Sequence, residues 1–321
     1  MDEVITPEVN EVTQEDILYL KRRLYKKINK ITWAFFWFTL LTQLASIPIV
    51  TLAHSLSQTL SLPSELVNWL VTDISLYMIA FPIFYMIIHS LPDTPIHTPK
   101  KRLNIPNILL LSVVCIGILY FFNIFGSMIA SFLTSITGGE ANPIENYIIG
   151  EPIYTVIFAC MIPAIMEEII FRKMIVSKLY PLGESFCIIT SGIIFGLFHG
   201  NIVQIMYAIP IGCFLCYIYL KTNSLTNVVI LHFLTNLTGS LVLPWLVTHY
   251  PTLGSWIMFS MIFVAIVYVV RLRKKITLDP LELPLSEKDK RELLFKSKGF
   301  IAYVVLITIL AGIMLFLPSS I

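Results

Sequence analysis

Two adjacent carboxylates, Glu167 and Glu168, stand with Arg172 in an otherwise apolar run that begins at Ala164. A charge near a bilayer centre costs at least about 3 kcal/mol on insertion scales, so such a group needs partners, water or a function. Glu168 and Arg172 are four apart and share a helix face, where they can pair. Glu167 is turned by about 100° from Glu168, toward a different neighbour. One carboxylate is thereby held and the other left free. Three more polar residues follow in apolar surroundings: His199, then His232 and Asn236. The last two are again four apart, and an imidazole and an amide on one face can donate hydrogen bonds to one oxygen.

The chemistry this set fits is hydrolysis. Burial disfavours the charged form of a carboxyl group, which makes it a usable general base or acid near neutral pH. A histidine opposite can share its water, and two further donors can stabilise the oxyanion of a tetrahedral intermediate. No good nucleophile accompanies them. Each residue alone has a plainer reading. Intramembrane charges usually pair, a single histidine or asparagine often holds two helices together, and His199 beside Gly200 suits an outer turn. What favours chemistry is the concentration of these residues between 167 and 236, while the other spans are nearly clean. There is no HExxH and no GxSxG elbow; Ser191-Gly192 lacks that frame. Asp73 is the only aspartate inside a span, which argues against an aspartyl dyad. Two histidines and two glutamates are able to bind zinc. The paired-histidine helix motif is missing, so no metal or cofactor is assigned, and zinc stays open.

The elements that must carry these residues are membrane helices. The chain has 321 residues, 56% hydrophobic and 13% charged, with a mean hydropathy of +0.81. A soluble domain carries about 25% charge, so the expected fold is an all-α polytopic transmembrane bundle. Nothing resembles a basic nucleic-acid surface. At about 20 apolar residues per span, candidates fall near 32–53, 66–90, 107–134, 152–171, 185–199, 202–220, 225–247, 254–270 and 299–317. The fifth and sixth are short and separated only by Gly200-Asn201, so the count is eight or nine. The five cysteines lie in apolar runs without CxxC spacing and read as small core residues.

Basic residues orient the stack. Lys21 to Lys30 precede span one, Lys100-Lys101-Arg102 follow span two, and Arg172, Lys173 and Lys178 follow span four. Lys221 follows span six, and Arg271 to Lys275 follow span eight. The opposite loops, Gly138-Gly139-Glu140 and His249-Tyr250-Pro251, lack lysine and arginine. This pattern puts the N-terminus in the cytoplasm and, with nine spans, the C-terminus outside. Residues 1–30 are polar, with no cleavable signal pattern. Within them, Ile17, Leu20, Leu24 and Ile28 suit a basic amphipathic helix on the inner leaflet, or equally a solvated lead-in to span one. The bundle then occupies 31–275, residues 276–298 form a cytoplasmic linker, and 299–321 the final span. The active-site cavity is expected among spans four, five and seven.

In order, Glu167-Glu168-xxx-Arg172, Phe195-xxx-His199 and His232-xxx-Asn236 resemble the EExxxR, FxxxH and HxxxN motifs of the CAAX protease and bacteriocin-processing family. It is also called the Abi or type II CAAX prenyl endopeptidase-like family. The defensible similarity covers about 150–245. The resemblance implies a glutamate-type intramembrane endopeptidase. In it Glu167 and His199 activate water, His232 and Asn236 bind the oxyanion, and Glu168 and Arg172 support them. It further implies a peptide or lipidated-peptide substrate, membrane lipids as surroundings, and a bacterial cell membrane as location. Bacterial-type relatives are linked to bacteriocin immunity and peptide pheromone maturation. Prenyl-CAAX cleavage requires a host that prenylates proteins. Two other classes stay open: a non-catalytic scaffold or immunity partner, and a transporter with Glu167 as proton relay, although no inverted repeat is visible. One geometric demand is strict. Glu167 sits in the inner half of span four and His199 at the outer end of span five. They meet only if span four runs deeper, to about Tyr180, or span five starts above the inner face.

Overall fold

The computed structural model describes residues 13–138, 151–279 and 283–316. The first twelve residues, residues 139–150 (with Gly139 and Glu140 of the expected outer loop), and residues 280–282 and 317–321 lie outside them. Regular structure among the described residues is helical throughout. The crossing helices are α1 (Gln14–Leu60), α2 (Ser64–Ile88), α3 (Ile105–Thr137), α4 (Pro152–Leu182), α6 (Ile202–Thr222), α7 (Leu225–His249), α8 (Pro251–Leu272) and α10 (Lys298–Phe316). Two shorter ones, α5 (Glu184–Phe198) and α9 (Glu287–Phe295), complete the set. Eight helices are thus long and apolar enough to cross a membrane. The fifteen residues of α5 extend about 22 Å, short of a hydrocarbon core of about 30 Å.

Two expectations about the basic segments change. Residues 15–30 are not a separate surface helix. They form the first turns of the 47-residue α1, which starts at a capping box between Thr13 and Asp16. Their apolar face is buried at Leu24 and Ile28, against protein. The segment after α8 is also more than a linker. Ser286 and Asp289 form a second capping box that opens α9, which buries Leu293 and Leu294. Asp289 then pairs with Lys21 of α1 at 2.7 Å.

The α4–α5 hairpin decides where the site lies. Helix α4 does not stop near 171. It continues through Arg172, Lys173 and Lys178 to Leu182, because Arg172 and Lys178 find partners and Lys173 is exposed. Arg172 pairs with Glu168, and Lys178 pairs with Asp93 at 2.7 Å. Gly183 then reverses the chain at φ 99° and ψ 155°, a conformation open to glycine almost alone. Sixteen residues separate Glu167 from Gly183, and sixteen separate Gly183 from His199. The two arms run back along each other, with the rings of Phe171 and Phe195 in an edge-to-face contact at 5.0 Å. Equal arms of about 24 Å bring Glu167 and His199 to one depth. Helix α6 closes on α5 where Gly192 and Gly196 leave room. A Cβ on Gly192 would collide with Cys213, and one on Gly196 with Ile209. This is the small-residue packing that lets membrane helices approach.

Candidate active site

Four helical segments widen into π turns, at Ile74–Ala80, Thr155–Met161, Ile169–Val176 and Thr238–Val242. Such turns insert a residue into the ladder and re-aim side chains, often at functional sites. All of them except Ile169–Val176 contribute lining to a cavity of about 1070 Å³. Glu167, His199, His232 and Asn236 all line it. Glu168 and Arg172 lie behind that wall, each 0% exposed, whereas Glu167 is 7% exposed. Through a longer α4 and a short α5, Glu167 and His199 come to line one cavity.

Glu168 is the hub of the wall. Its Oε1 lies 2.8 Å from Nδ1 of His232. Its Oε2 lies 3.0 Å from Nε of Arg172, an ion pair that is off hydrogen-bond alignment. The guanidinium is held further by Nη2 donating to the Gly212 carbonyl at 3.2 Å and by the face of Phe195 at 4.8 Å. An ionised carboxylate only accepts, so His232 carries its proton on Nδ1. Its Nε2 is then aimed at the cavity, 3.9 Å from Oε2 of Glu167. That oxygen has no hydrogen-bond partner in the protein.

His199 follows the last turn of α5. Its Nδ1 lies 2.9 Å from the Phe195 carbonyl, an acceptor left unpaired by the helix end. The carbonyl fixes the proton on Nδ1 and leaves Nε2 as a lone pair. Phe195 touches both histidine rings edge-on, at 5.1 Å from His199 and 5.7 Å from His232. The phenylalanine of the FxxxH spacing is thus the post between them.

Asn236 departs from the simplest expectation. His232 and Asn236 face one cavity, but they do not point two free donors at one spot. Asn236 Nδ2 donates to the Ala159 carbonyl at 3.2 Å. That carbonyl needs a donor because the residue four further along is Pro163, which has no N–H. One amide proton is therefore structural and the second is available.

Other cavity residues were not singled out for the site from sequence. Tyr77 of α2 and Tyr207 of α6 both lie within electrostatic reach of Glu167, and Tyr207 bonds Gln204. Asp73, one turn before Tyr77, also lines the space. Only a polar run in span two, with Asn68, Thr72, Asp73, Ser75 and Tyr77, hinted at this wall. Among the described residues no group of three or more His, Cys, Asp or Glu is arranged to hold a metal.

Residues 149–238 match the family model of the Rce1-like type II CAAX prenyl endopeptidases. The matched segment contains all six motif residues, from Glu167 to Asn236, and the whole α4–α5 hairpin. No curated protein and no solved structure matches the chain. The chain is an all-helical integral membrane protein, and over residues 149–238 it is similar to the Rce1-like type II CAAX prenyl endopeptidases.

Proposed function

We propose that the protein is an intramembrane endopeptidase in which Glu167 activates a water for attack on a peptide carbonyl. The observation that carries this reading is the unpartnered Glu167 Oε2 facing Nε2 of His232 across 3.9 Å. The gap is too long for a direct bond and suits a bridging oxygen. Glu167 takes one proton from the water, while Nε2 of His199 accepts the other as a hydrogen bond and fixes its direction. The resulting hydroxide adds to the scissile carbonyl. Charge that develops on the carbonyl oxygen is met by the free Nδ2 proton of Asn236 and by His232. In this step His232 holds a proton on each nitrogen: Nδ1–H stays on Glu168, and Nε2–H donates to that oxygen. Collapse of the tetrahedral intermediate breaks the C–N bond, and Glu167 returns its proton to the leaving amine.

The substrate is a peptide or lipid-modified peptide held at the membrane. The N-terminus faces the cytoplasm, as the basic clusters require. The test is cleavage of peptide substrates by the purified protein in detergent or liposomes. Glu167→Gln and His199→Ala each abolish cleavage while membrane insertion and folding are kept. Full activity in either variant would overturn the assignment. A non-catalytic scaffold is the second reading, favoured by the buried Glu168–Arg172 pair, which also serves to hold helices together. It requires that no peptide is cleaved by the unsubstituted chain.

A further inference from the structure

The cavity carries a one-sided charge. Among the described residues its wall holds two carboxylates, Asp73 and Glu167, and no lysine or arginine. The segments outside the described residues contain no lysine or arginine either. Arg172, the nearest cation, is fully buried behind the wall on Glu168. Asp73 is only partly buried, and it differs from the ion-paired buried acids. Glu168 has Arg172 and His232, and Glu184 has Lys221. Among the described residues Asp73 has Oδ2 buried without a hydrogen-bond partner and no ion pair. A carboxylate placed in a low-dielectric wall without a counter-ion is costly. A substrate cation would remove that cost on binding, whereas a substrate carboxylate would add to it.

Position gives the inference its second half. Asp73 and Tyr77 are one turn apart on α2, about 6 Å along the axis. Tyr77 lies within electrostatic reach of both Asp73 and Glu167. An extended peptide advances about 3.3 Å per residue. A substrate whose scissile carbonyl sits at Glu167 shares the cavity with Asp73 and passes it within a few residues.

We propose that Asp73 is a specificity-determining residue that pairs with a lysine or arginine side chain of the substrate near the scissile bond. The same wall rejects peptides with a free carboxylate at that position. The substrate class is then a cationic peptide segment cut internally. This rests on the endopeptidase reading above, and the experiment separates the two.

A random peptide library is digested by the purified protein, and the cleavage products are sequenced by mass spectrometry. The expected result is at least about fivefold enrichment of lysine and arginine at one fixed position within three residues of the cut. Asp73→Asn reduces that enrichment to near background, and Asp73→Lys shifts the preference to glutamate and aspartate. No enrichment with the unsubstituted protein, or enrichment that survives Asp73→Asn, overturns the proposal. Absence of all cleavage overturns the endopeptidase reading instead. Asp73 is then judged by binding of a fluorescent lysine-containing decapeptide to the uncut protein. Binding about tenfold weaker in Asp73→Asn supports the pairing, and equal binding refutes it.

Discussion

His232 is clamped by Glu168, with Nδ1 at 2.8 Å from Oε1, so that its other nitrogen faces Glu167. The two neighbouring glutamates thereby separate into different physical roles. Glu168 is fully buried and carries the charge balance of Arg172, while Glu167 meets the cavity.

Substitution separates these roles. Glu168→Gln leaves Arg172 buried without its counter-ion, a loss of about 3 kcal/mol or more in stability. It also frees the His232 ring, so activity falls about 100-fold or more. Glu167→Gln removes only the base. Its activity falls at least as far, and its Tm stays close to that of the unsubstituted protein. Thermal unfolding in detergent alongside cleavage rates distinguishes the two. Equal Tm values for both variants would refute the division.

The Asn236–Ala159 bond predicts coupling between Asn236 and Pro163. Asn236→Ala leaves a buried carbonyl unpaired, at a cost of about 1–3 kcal/mol. In a Pro163→Ala background the restored backbone N–H serves that carbonyl, and Asn236→Ala costs less. A double-mutant cycle on stability reads the coupling as about 1 kcal/mol or more. Additive effects would show that the amide is not there to satisfy Ala159.

Hydropathy made the spans legible, and spacing made all six motif residues legible. The common depth of Glu167 and His199 was hidden because Arg172, Lys173 and Lys178 read as the start of a loop. Only their partners, Glu168 and Asp93, explain why the helix runs on. Those partners are fixed by the fold. Asp73 and Tyr77 stayed outside the site for a related reason, since nothing local says that α2 faces α4. The hairpin itself has one testable point. Gly183→Ala places a Cβ at φ 99° and costs about 1–3 kcal/mol. Because the turn sets both arms, activity drops further than stability alone explains, as cleavage measured well below the Tm will reveal.

Asp93 ties the loop after α2 to the end of α4 through Ser177 and Lys178. Burial pushes its carboxyl up, but the hydrogen bonds from Lys178 and Ser177 outweigh this and leave it below its ordinary value. A lowered carboxylate stabilises the fold above its unfolded pKa, near 4, and the gain is lost as pH falls through the lower folded value. Asp93→Asn therefore costs about 0.5–1 kcal/mol at pH 7, a modest figure because Asp93 is largely exposed and screened. Below about pH 4 the difference narrows and then disappears. A variant gap that widens in acid would contradict the sign.

Finally, the side from which substrate enters follows from where the cavity lies along each helix. Its lining comes from Thr42–Thr51 of α1, Asn68–Tyr77 of α2, Phe158–Glu167 of α4 and His232–Pro244 of α7. In each helix that stretch is remote from the basic end. Lys21 to Lys30 open α1, Lys100 to Arg102 follow α2, Lys178 closes α4, and Lys221 precedes α7. With basic ends expected on the inner side, the cavity is expected to open toward the outer face. Thr72 is exposed on its wall. A Thr72→Cys protein in intact cells is expected to react with a membrane-impermeant maleimide well above the background of the native cysteines. Lys100→Cys reacts only after the membrane is opened. The reverse pattern would place the cavity on the cytoplasmic side and the N-terminus outside.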